Sequence, residues 1–95
     1  MSIHPVWQSS EFHALLIEDW GGEYTVFQPD SGKTHFLNQM SMQILSFLNQ
    51  RPASIIEISN YLGEQFQQNT GKKFQQSLEK ILYHLDTLGL VNKVK

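Results

Sequence analysis

Apolar and polar positions change period near residue 38. Before it they tend to alternate; after it they recur every three to four residues, so strands come first and helices follow. Residues 12–20 run Phe-His-Ala-Leu-Leu-Ile-Glu-Asp-Trp, rich in aliphatic, aromatic and β-branched side chains, and predict a first strand. Gly21-Gly22 supplies the positive φ angles of a two-residue hairpin turn. In the next strand Tyr24, Val26 and Gln28 share one face, and Glu23, Thr25 and Phe27 the other. Pro29-Asp30-Ser31-Gly32 forms a second turn, with proline presetting φ and glycine closing it. Lys33-Thr34-His35-Phe36-Leu37 is the third strand, so the prediction over residues 12–37 is a meander whose first and third strands are edges.

Asn38 is placed to cap a helix over residues 39–50, with Met40, Ile44, Leu45 and Leu48 on one face. Arg51-Pro52 ends it, because the residue before a proline avoids the α region. Ser54-Ile55-Ile56-Glu57 matches a capping box and opens a second helix over residues 54–66, with Ile55, Ile58, Leu62 and Phe66 as its buried stripe. Gly63 weakens its end, and residues 65–71 read as a polar connection. A third helix over about residues 73–88 carries Phe74, Leu78, Ile81, Leu82, Leu85 and Leu88 on one apolar face, and Gly89 stops it. Residues 1–11 read as an irregular lead-in pinned by Trp7. The tail after Leu90-Val91 reads as a stub of strand.

Ninety-five residues suffice for one domain, and 40% hydrophobic content supports a modest core. The absence of cysteine excludes disulfides, thiolate zinc sites and a cysteine nucleophile, and fits a cytoplasmic setting. The first residues carry no basic region or apolar run, so no secretory signal is expected, and no apolar segment approaches the ~20 residues that span a bilayer. The net charge of −2 is unevenly placed. Glu11, Glu18, Asp19, Glu23 and Asp30 face Lys33 alone in the first half, whereas the second half is mildly basic.

No arrangement of residues points to catalysis, a metal or a cofactor. His4, His13, His35 and His84 lack ligand spacing. Gly71-Lys72 is not the end of a phosphate-binding loop, since Phe66 and Lys73 stand where glycine and a hydroxyl residue are needed. Glu18 and Asp19 lie on opposite faces of a strand and cannot act as an acid/base pair. The last two helices resemble a helix-turn-helix, so a winged-helix DNA-binding regulator is an alternative; a chain with one arginine lacks the usual means of neutralising phosphates and reading guanine. The third strand carries one charge, Lys33, and no proline. Such an edge is either covered by the lead-in or tail, or open to strand addition by a guest peptide. Pairing of free edges between two copies is a third reading.

Trp20, Ser31-Gly32, Thr34-His35-Phe36-Leu37-Asn38, Ile44-Leu45, Glu57-Ile58 and residues 85–91 occur in an order and spacing that resemble the PqqD-like family, over roughly residues 12–92. Members of that family are peptide chaperones, the precursor-peptide recognition elements of ribosomally made and modified peptide pathways. The Thr-His-x-Leu-Asn form resembles the subgroup found with proteins related to HPr kinase. The resemblance implies an α+β domain over residues 1–95: a three-stranded antiparallel β-meander followed by a three-helix winged-helix-like bundle. It further implies a non-catalytic protein that binds a leader peptide beside the third strand and presents it to a modifying enzyme. The groove floor would be Lys33, Thr34, His35, Phe36 and Leu37, with Phe36 and Leu37 also core candidates. The far wall would be the third helix. With Leu78, Ile81 and Leu85 buried, Leu82 would sit at the stripe's margin, with Gln75, Glu79 and Asp86 just beyond it; the opposite margin, Ser77 and His84, stays open as the other choice.

Overall fold

The computed structural model describes residues 5–10, 12–66 and 71–94, with the backbone alone at His13. Its strands are β1 (Val6–Ser9), β2 (Leu16–Asp19), β3 (Glu23–Gln28), β4 (Lys33–Asn38), β5 (Ala53–Ser54) and β6 (Val91–Val94). Its α-helices are α1 (Gln39–Gln50), α2 (Ile55–Phe66) and α3 (Lys72–Thr87). The architecture is α+β. β2, β3 and β4 form the antiparallel meander in that order, and β2 and β4 are its edges.

Both turns follow from local chemistry. Gly21 and Gly22 have φ of 82° and 108°, angles that side chains with a Cβ rarely adopt. Asp19 Oδ1 accepts from the Gly21 N–H at 2.9 Å, which holds the turn closed. Asn38 caps α1 by accepting from the Ser41 N–H at 2.8 Å. The capping box of α2 is reciprocal: Glu57 N–H donates to Ser54 Oγ at 3.3 Å, and Ser54 N–H donates to Glu57 Oε1 at 3.1 Å. That Ser54 bond, reinforced by Arg51 at 2.9 Å, holds the Glu57 carboxyl below the usual carboxylate range. Ser54→Ala is expected to cost about 1 kcal/mol, read as a lower urea midpoint with an unchanged slope.

Three expectations need correction. The lead-in is not irregular: β1 pairs with β6, Val6 opposite Val94, and with β5, Trp7 opposite Ala53, making a second three-stranded sheet. Trp7 is 2% exposed, meets Tyr83 edge-on at 5.8 Å, and lies under the Lys93 ammonium at 5.3 Å. The first meander strand is shorter than residues 12–20, because Phe12–Ala14 forms a 3₁₀ turn closed by Leu15 N–H to Phe12 C=O. Phe12 and Leu15 both pack on the core, and a spacing of three brings them to one side only if the chain coils. Finally, Leu82 is fully buried and Ile81 half-buried, the reverse of the margin assigned to Leu82. Of the connection over residues 65–71, Gln65 and Phe66 belong to α2, which ends where predicted, and Gly71 directly precedes α3; residues 67–70 lie outside the described residues.

The core lies between the meander and the helices, where Val26 and Leu37 meet Ile44, Leu45 and Leu48 of α1, Ile58 and Leu62 of α2, and Leu78, Leu82 and Leu85 of α3. Phe47 stacks on Tyr61 at 4.4 Å and closes the contact between α1 and α2.

Candidate functional site

The hydrogen-bonding direction of β4 follows from the meander's register. Trp20 N–H donates to Glu23 C=O, so the backbone groups of Glu23 face β2. Direction alternates along an antiparallel strand, so Thr25 and Phe27 also bond toward β2, while Tyr24, Val26 and Gln28 bond toward β4. Their β4 partners are Leu37, His35 and Lys33. The backbone groups of Thr34, Phe36 and Asn38 therefore point away from the sheet, and among the described residues no strand pairs with them.

Side chains of β4 alternate independently of this. His35 and Leu37 are buried, while Lys33, Thr34, Phe36 and Asn38 are exposed. Phe36 is not core: it is 80% exposed on the sheet's outer face, level with Thr25. Beside it, a hollow of about 530 Å³ is lined by Trp20, Glu23, Tyr24, Thr25, Phe36, Leu37 and Asn38. Trp20 is fixed there by its indole N–H, which donates to Thr25 Oγ1 at 3.0 Å. Trp20 was legible only through the family resemblance. The part played by Thr25 went unread, because a threonine in a strand carries no functional signal of its own.

Gln28 ties the sheet to the end of α3. Its Oε1 receives the His35 Nε2 proton at 2.5 Å, and its Nε2 donates to Gly89 C=O at 3.4 Å. Burial holds the His35 pKa below the ordinary imidazole value, with the Lys33 and His84 charges adding to the shift. The unfolded chain thus takes up this proton at a higher pH than the folded chain does. Stability from neutral His35 is full above about pH 6.5 and is lost as pH falls toward the lowered folded value. Urea midpoints should drop between pH 7.5 and 5.5, and His35→Gln should shrink that drop; an equal drop in the variant would exclude His35 as a source.

The expected wall residues separate. Gln75 and Glu79 border a shallow hollow with Ile55 of α2, and Asp86 follows on their flank at helical spacing. Leu82 is sealed in the core. On the opposite flank His84 is close enough to β4 for its charge to act on His35, with Ser77 two turns before it. Ser77, Ile81 and His84 thus lie along the flank of α3 opposite to that of Gln75, Glu79 and Asp86.

Among the described residues no cluster of three or more metal-ligating side chains occurs, and no helix is long and apolar enough to cross a membrane. No protein-family model and no curated protein matches the chain. Its fold, an α+β meander with three helices, is shared with a solved structure. That structure is TbiB1 in complex with the TbiA(beta) leader peptide, with a TM-score of 0.70 at 17% identity, covering 93% of this chain and 98% of TbiB1.

Proposed function

We propose that this chain is a non-catalytic peptide chaperone. It binds the leader of a ribosomally synthesised precursor peptide by adding it as a strand beside β4, and it presents the remainder to a modifying enzyme. The observation that carries this reading is the outward-facing backbone of Thr34, Phe36 and Asn38 on an unpaired edge of the described meander. The shared fold of TbiB1, a protein solved with a leader peptide, supports it. The floor comprises Lys33, Thr34, His35, Phe36 and Leu37, and the wall is Ser77, Ile81 and His84. A partner enzyme related to HPr kinase is the finer form of the proposal, resting on the Thr34-His35-Phe36-Leu37-Asn38 motif.

The alternative of DNA recognition by α3 finds no support in the side chains, because Arg51 caps the C-terminal end of α1, paired with Glu57 and set over Phe47. The test is an NMR titration of the ¹⁵N-labelled chain with the precursor peptide encoded beside its gene. Shifts are expected at the Thr34, Phe36 and Asn38 amides and along the Ser77–His84 flank. Saturable binding that leaves those amides unmoved would refute strand addition at β4.

A further inference from the structure

The guest's chemistry can be taken one step further, on the basis of that strand-addition reading. We propose that the segment received by β4 is acidic, with carboxylates held between Lys33 on the strand and a cationic stripe on α3. Lys73, Ser77, Lys80 and His84 follow one another at spacings of four, three and four, which places them on one side of the helix. All four are exposed. The link from His35 through Gln28 to Gly89 C=O brings the C-terminal end of α3, where His84 stands, up to the meander, while adjacent Tyr83 turns the other way, onto Trp7.

The other flank of α3 is occupied differently. There Glu79 and Gln75 border α2, and Tyr83 packs on Trp7 of β1. Both carboxylates of α3, Glu79 and Asp86, belong to that far flank, and β4 carries none. Among the described residues Lys33, Lys73 and Lys80 form no ion pair. Asp30, in the turn before Lys33, and Glu23, opposite Asn38, mark the ends of the cationic stretch. A net charge of −2 and a committed Arg51 favour a short, locally acidic strand over a nucleic acid polyanion. On the outer face, the guest side chain that falls beside Phe36 should be apolar, as cross-strand neighbours of an aromatic ring usually are.

The full chain, ¹⁵N-labelled, is titrated at low salt with three capped ten-residue peptides in which Val alternates with Glu, Gln or Lys. The Glu peptide is expected to shift the Thr34, Phe36 and Asn38 amides at about tenfold lower concentration than the Gln peptide, the Lys peptide being weakest. The preference should vanish at high salt. Lys73→Glu combined with Lys80→Glu, both on exposed side chains, should reverse the order of the Glu and Lys peptides. Equal binding of all three, or an unchanged order in the double variant, overturns the acidic-guest proposal and leaves strand addition standing. If none of the peptides moves the edge amides, both fall. A short DNA duplex that shifts the stripe at lower concentration than the Glu peptide, or a dimer by light scattering that already protects the edge, overturns the proposal in favour of those occupants.

Discussion

Trp7→Ala should lower stability by about 3–5 kcal/mol, the usual cost of emptying a large aromatic site in a core. Domains of this size are stable by only about 5–15 kcal/mol, so the variant would stand close to unfolding. The expected reading is a urea midpoint lower by about 1 M or more, given slopes of about 1–3 kcal/mol per M. The size of the effect comes from position. Trp7 is buried on the middle strand of the second sheet, where it meets Ala53, Tyr83 and Lys93. Trp20→Ala is the natural comparison. Trp20 is 63% exposed and its side chain makes one exposed hydrogen bond, so its loss should cost under about 1 kcal/mol. Equal destabilisation by the two variants would contradict the placement of Trp7 as the anchor.

Thr34→Pro together with Phe36→Pro is expected to abolish measurable binding of a leader peptide while leaving the fold intact. Each substitution removes one outward N–H, worth about 1 kcal/mol or roughly fivefold in affinity, and the two rings obstruct the guest backbone. The folded state tolerates them because those N–H groups make no bond within the meander, and the residues before them are already extended. His35→Pro is the opposite case: its N–H faces Val26, and the variant should lose stability outright. Isothermal titration paired with thermal melting separates the outcomes. Retained binding by a folded double variant would exclude main-chain pairing at β4.

Much of the fold was legible because its signals are local. Gly21-Gly22, the turn ending at Gly32, the Asn38 cap, the Ser54–Glu57 box and the Gly89 stop each act within four residues of the structure they set. The second sheet was not legible because none of its strands speaks for itself. Val6–Ser9 is short and polar, and its partners lie near residues 53 and 92. The candidate site was legible as an edge but not as a pair of walls. Helical periodicity locates the centre of α3's apolar stripe, yet it cannot choose between adjacent Ile81 and Leu82, or say which flank meets the sheet. Contacts distant in sequence bear on both: Tyr83 on Trp7, and Gly89 on Gln28.

The pairing of β1 with β6 also bears on how the chain comes off the ribosome. Val6 is synthesised well before its partner Val94, so its strand stays incomplete on that side until β6 has emerged. The meander and α1, whose contacts are short-range, are free to form during synthesis. The indole of Trp7 has no such early shelter, because the Lys93 ammonium over its ring arrives only with β6.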